Sequence, residues 1–156
     1  MNSYNGFSPR QRYRALDWLK AEYRAGRRHR PRVCDACGQT EGVIEPHSED
    51  YSEPFGDHIG AFGLCYRCHM MIHCRFRNRQ VWDAYRQAVR EGKRFQALHT
   101  RNFPEVGKQL RGEAVPFEVG PPPTRLVLDE IDAGLHRPGG KPEEATTGEP
   151  RQALLW

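Results

Sequence analysis

A chain of 156 residues with 37% hydrophobic and 28% charged side chains has room for one domain with tails, or for two very small domains. Fifteen glycines and twelve prolines, many of them late in the chain, argue against one large apolar core and for a small core helped by a metal. The net charge of +4 is uneven: residues 1–111 carry 20 Lys/Arg against 12 Asp/Glu (+8), and residues 112–156 carry 4 against 8 (−4). A basic body suits a polyanionic partner, although a well-solvated surface gives the same count.

The opening residues, MNSYNGFSPRQRYR, lack the apolar stretch of a secretory signal, and no run reaches the length of a membrane span. The expected location is the cytoplasm, with no membrane partner. Thiols stay reduced there, so close cysteine pairs favour metal over disulfides.

In chain order, residues 8–25 read as a helix that Ser8 caps, Pro9 starts and Gly26 ends. Tyr13, Leu16, Leu19 and Tyr23 fall on one face, Trp18 lies off that stripe against a neighbour, and arginines and Lys20 fill much of the rest. Residues 26–32 follow as a basic arm, in which Arg27, Arg28, Arg30 and Arg32 are candidates for phosphate contact. Residues 33–75 hold a strand candidate at Val43-Ile44-Glu45, then Gly56, Gly60 and Gly63, which suit a hairpin or loop. From Cys65 or Tyr66 the pattern turns helical, with Cys68, Ile72 and Phe76 on one face and His69 and His73 on an adjacent one. Asn78 caps a further helix over 79–91 with an apolar stripe of Val81, Trp82, Tyr85, Ala88 and Val89; Phe95 and Leu98 extend its packing.

Composition changes after Gly112. Gly120-Pro121-Pro122-Pro123 is an extended spacer, and Leu126 to Leu135 has room for one or two helical turns. Residues 137–150 are too poor in apolar side chains to order themselves, and the apolar end Ala153-Leu154-Leu155-Trp156 either docks or frays. The chain thus divides into a basic helix and arm (1–32), a metal module with its following helix (33–111) and an acidic, mostly disordered tail (112–156).

All five cysteines and four of the seven histidines lie between Cys34 and Cys74. Cys34-x2-Cys37 and Cys65-x2-Cys68, 27 residues apart, have the spacing of a zinc ribbon: two CxxC turns aim four thiolates into one tetrahedron. A closed four-sulfur site has no open position, so this zinc holds shape and does not catalyse. Arg32, Arg67 or Arg75 can offset its negative charge. His47, Asp50, His58, His69, His73 and Cys74 remain. His69 and His73, four apart on one helix, can point the same way and grip a second metal. Cys74 adjoins His73 but points elsewhere and reads as a spare buried thiol.

The order CxxC, strand ending in His, loop, then LCxxCHxxxH resembles the HNH endonucleases, or ββα-metal fold. It is similar in particular to small members with a His-His-x-Asp-Tyr-x-x-Pro run before a Leu-Cys-x-x-Cys-His helix. The residues that carry the resemblance are Cys34, Cys37, His47, Asp50, Tyr51, Pro54, Leu64, Cys65, Cys68, His69 and His73, about a quarter of the chain in span. It implies a small α+β, zinc-stabilised ββα-metal module, to which the reading of the remaining residues adds flanking basic helices and a largely irregular C-terminal tail. It also implies a second divalent ion, such as Mg2+ or Mn2+, held by His69 and His73 and by the strand histidine, and hydrolysis of DNA phosphodiesters with a strand-end histidine as general base. Aligned on Asp50-Tyr51-x-x-Pro54, His47 takes the ligand position and Ser48 the base position; shifted by one, His47 becomes the base and Pro46 replaces the ligand. Asp50, Asp57 or His58 can then supply the missing function from the loop. The family's middle asparagine has no clear counterpart, and Gly60 stands near its place.

Three functions follow from these readings. The first is an HNH-type DNA endonuclease using His47, Asp50 and His58 with the histidine-bound ion. The second is a non-catalytic zinc module that binds DNA or RNA. The third is an adaptor whose tail recruits a protein. Thiol redox chemistry ranks last, because both CxxC pairs are committed to metal.

Overall fold

The computed structural model describes residues 2–134; the expectations for residues 137–150 and 153–156 lie outside that range. Helix α1 (Pro9–Arg24) starts where the sequence places it. Ser8 accepts from the Gln11 N–H while the Gln11 side chain accepts from the Ser8 N–H, a reciprocal capping box. Its buried face is Ala15 and Leu19, one turn apart, joined by Ile59 and flanked by Trp18, Tyr23, Tyr51 and Phe55. Tyr13, expected on that stripe, is half exposed at 49%, and Trp18 meets Phe55 with ring centroids 5.9 Å apart.

The next regular elements are strands β1 (Ile44–His47) and β2 (Phe62–Cys65), an antiparallel pair in which Ile44 faces Cys65 and His47 faces Phe62. The strand thus runs two residues beyond Glu45 and ends on the histidine. Cys65 both ends β2 and caps helix α2 (Tyr66–Cys74), its sulfur accepting from the Cys68 N–H at 3.5 Å. The helix stops at Cys74, so Phe76, expected on one face with Cys68 and Ile72, lies beyond it and is 62% exposed. Helix α3 (Arg79–Arg90) is capped by Asn78, which accepts from the Val81 N–H, and buries Trp82, Tyr85 and Val89.

Residues 31–35 lie along β2 and are pinned there. The Asp35 N–H donates to the Gly63 carbonyl and the Gly63 N–H to Asp35 Oδ2. A side chain at Gly63 would strike Pro31 at 2.5 Å, so glycine permits this close approach.

Three short elements were not legible in the sequence: β3 (Lys93–Arg94), helix α4 (Phe103–Leu110) and β4 (Glu118–Val119), which pairs with β3. Helix α5 (Val127–Asp132) completes the described chain and falls within the expected span. Its Val127, Leu128 and Ile131 join one core with Phe62, Leu64, Met71, Ile72, Trp82 and Tyr85. Asp132 accepts from Arg79 and from the Trp82 indole N–H at 2.9 Å, and Asp129 pairs with Arg86 and Arg90. The packed body therefore does not stop at residue 111. The first half of the expected tail is docked, because its acidic residues meet the basic face of α3 while its aliphatic residues close the core. The result is a small α+β fold with five helices and two small antiparallel sheets among the described residues. No described helix is long and apolar enough to cross a membrane.

Candidate metal centres and basic cleft

Cys34 and Cys37 sit in the turn before β1, and Cys65 and Cys68 at the junction of β2 and α2. Their four sulfurs lie within 4.8 Å of one another, and Cys37 and Cys65 are 3.8 Å apart. All but Cys37 are buried. Hydrogen bonds from the other three thiols draw Cys34 well below the ordinary thiol range, while Cys65 and Cys68 are pushed up, first by their hydrogen bonds to Cys34 and Cys37, then by burial and by the negative charge on Cys34. A cation at the centre removes that conflict, so the donor set can hold a metal ion. The Tyr85 hydroxyl stands 3.2 Å from the Cys68 sulfur, a donor placed behind a ligand. Cys74 is buried and outside the cluster. The arginines expected to offset the cysteine charge have other partners: Arg67 donates to Gln109 and Arg75 to Glu49.

The second cluster joins the end of β1 to one face of α2. His47, His69 and His73 each offer a ring nitrogen, all within 4.8 Å of one another, with ring centroids 5.0 to 5.7 Å apart. The i, i+4 spacing of the helical pair and the strand register that ends β1 at His47 produce the convergence. Two glutamates fix two of the rings. His69 Nδ1 lies 2.8 Å from Glu45 Oε2, and His47 Nε2 lies 2.7 Å from Glu49 Oε1. With those N–H groups donating, the neutral rings keep their lone pairs on His69 Nε2 and His47 Nδ1, the form a metal ligand needs. Burial pushes His47 down to about 4 against the pull of Glu49; burial and repulsion from the other two histidines push His73 down to about 3. His47 and His73 are therefore neutral at pH 7.

Glu49 is almost fully buried, which by itself would raise its carboxyl. Hydrogen bonds from His47 and Arg75 overcome that and hold it ionised well below the usual range. It also accepts from the Tyr4 hydroxyl and the Asn5 amide. Tyr4 is 7% exposed and lies against His73, ring centroids 4.7 Å apart, so the N-terminal residues form one wall of the cluster. Glu45 is held down to about 2, chiefly by His69 and then by Arg101.

The other sequence candidates are not brought to the histidines. Both carboxylate oxygens of Asp50 accept from Ser52, one from its N–H and one from its hydroxyl. His58 Nε2 donates to the Ser52 carbonyl at 3.0 Å. Ser48 is buried, and its Oγ accepts from the Gly60 N–H at 2.7 Å. Gly60 has φ +65°, and a side chain there would meet Leu19 at 2.8 Å; that explains a glycine near the place where the resembled pattern has asparagine.

A cleft of about 470 Å3 opens beside the cluster; its lining includes His47, Ser48 and His69 and the cations Arg12, Lys20, Arg30 and Arg101. Of the expected arm residues, Arg30 reaches the cleft. Arg27 pairs with Glu22, Arg28 donates to the Ile59 carbonyl, and Arg32 is exposed. Glu45, Glu49, Tyr4, Arg12 and Arg101 were missed. One signal was available: Glu45 and His47 are two apart in a strand and share a face.

Comparison of the chain with protein-family models, curated proteins and solved structures finds no match.

Proposed function

We propose that this chain is a metal-dependent endonuclease of the HNH type that hydrolyses DNA phosphodiesters, on a ββα-metal module stabilised by one zinc ion in its four cysteines. The observation that carries the reading is the convergence of His47, His69 and His73, the first two held by glutamates, beside a cleft lined by several cationic side chains. His47, His69 and His73 would hold a divalent ion such as Mg2+ or Mn2+, which would supply charge stabilisation at the scissile phosphate and the leaving oxygen. The chain's own residues do the rest. Glu45 and Glu49 hold two imidazoles in the ligand tautomer, and Arg12, Lys20 and Arg30 attract and orient the sugar–phosphate backbone.

Ser48 occupies the position of the family's general base and keeps its Oγ on the Gly60 N–H. Turnover is therefore expected to lack the roughly 10²–10⁴-fold that a positioned base contributes. The same observation favours a second reading, a non-catalytic zinc-stabilised module that binds nucleic acid. Incubation with supercoiled plasmid and Mg2+ or Mn2+ separates the two. Nicking that needs the added ion and is lost in His73→Ala, with the cysteine-bound zinc retained, supports the nuclease. Salt-dependent DNA binding without nicking supports the binding module, and neither result would leave both readings without support.

A further inference from the structure

The cleft is not a simple basic groove. Its lining includes the apolar side chains of Leu16, Leu19, Ile44 and Ile59 and the ring of Tyr23, with the Arg30 guanidinium 5.2 Å from that ring's centroid. Arg12, Lys20, Arg30 and Arg101 line it as well, with the Glu45 carboxylate that Arg101 engages, and His47 and His69 belong to the same lining. A duplex presents phosphates to a protein and keeps its bases stacked inside, so a duplex backbone would leave an apolar recess unfilled. An unpaired nucleotide has both parts: an apolar flat base that stacks on aromatic or guanidinium planes, and a phosphate for the cations. The cleft's volume falls in the range of about 300–1,000 Å3 that encloses a compact organic ligand.

We propose that this cleft holds a nucleobase of an unpaired strand, stacked against Tyr23 and Arg30, with its adjoining phosphate at the histidine cluster. The substrate class is then single-stranded nucleic acid or an unpaired segment of a duplex, not continuous B-form DNA. The assignment rests on the reading of the three histidines as a phosphate-handling centre, and it adds the strand state that this centre accepts.

Fluorescence anisotropy with labelled 12-nucleotide DNA and RNA single strands and with the matching DNA duplex tests it, without added divalent ion so that no cleavage intervenes. Both single strands, or one of them, bind at least ten-fold tighter than the duplex at the same salt. Tyr23→Ala weakens single-strand binding about ten-fold, the order expected for loss of one base stack, and changes duplex binding less than two-fold. Tyr23→Phe keeps the ring and restores single-strand binding. Thermal melting identifies any variant that has lost its fold. Duplex binding equal to or tighter than single-strand binding would overturn the proposal, as would equal losses in Tyr23→Ala and Tyr23→Phe, or no binding at all. Plasmid nicking is scored separately. Ring-dependent single-strand binding without nicking keeps this assignment and removes the nuclease.

Discussion

Replacing Glu49 with alanine should be among the most damaging single changes near the histidines. Glu49 and Arg75 are 2% and 4% exposed at their side chains, and Arg75 donates to both carboxylate oxygens. Removing the carboxylate leaves a guanidinium buried without its counter-charge and takes an acceptor from Tyr4, Asn5 and His47. Breaking a buried pair from one side costs about 3–5 kcal/mol, a large share of the roughly 5–15 kcal/mol that holds a domain together. Arg75→Met alone leaves the anion, which His47, Tyr4 and Asn5 still serve. The double variant leaves no orphaned charge, so it should lie closer to wild type than the sum of the singles, by about 1–3 kcal/mol. Urea unfolding of the four proteins, with zinc content checked in each, gives the cycle. The reasoning fails if Glu49→Ala costs less than about 1 kcal/mol, or if the two single losses simply add.

Acid should destabilise the protein from an unusually high pH. His47 and His73 stay neutral in the fold down to about 4 and 3, whereas the unfolded chain takes up those protons below about 6.5. Near pH 5 unfolding then takes up almost two protons at these sites, a slope of about 2.7 kcal/mol lost per pH unit. Glu45 and Glu49 act in the same direction lower down: their folded carboxyls are depressed, so their contribution is present above about 4.3 and disappears as pH falls toward 2. Thermal melting without added divalent ion should show a falling midpoint between pH 7 and pH 5; a flat profile would contradict neutral His47 and His73 in the fold. Ending the chain after Thr124 removes α5 and uncovers Trp82, which is 0% exposed. With Val127, Leu128 and Ile131 lost from the core, at about 1.5–3 kcal/mol each, denaturant unfolding should show a loss of several kcal/mol, and an unchanged midpoint would mean that α5 does not stabilise the core.

Local signals carried most of what the sequence made legible. Capping residues and apolar spacing located α1 and α3, and the CxxC pairs located the cysteine cluster without any knowledge of the hairpin between them. The same logic failed for short elements with weak periodicity. Helix α4 has a proline at its start and Gly107 inside it, and the two-residue strands β3 and β4 depend on each other. The site itself was half legible. His69 and His73 are neighbours along one helix, so spacing revealed them, whereas His47 was singled out only through the family resemblance. Their supporting groups come from far along the chain: Tyr4 reaches Glu49 across 45 residues, Arg75 reaches it across 26, and Arg101 reaches Glu45 across 56. Such pairs leave no local pattern. Asp50 and His58 looked available because both can do acid–base chemistry; in the fold both are committed to Ser52, which sequence spacing alone does not reveal.

Two metal centres of different kinds, a closed cysteine site and an open histidine site, would take up two ions per chain. Metal stoichiometry of the purified protein, with calorimetric titration of Mn2+ into the zinc-loaded form, tests this most directly. The account predicts one tightly held zinc plus one further divalent ion per chain. His73→Ala should lose the second and keep the first, and Cys34→Ser should lose the zinc together with the fold. A single metal per chain, insensitive to His73→Ala, would contradict it.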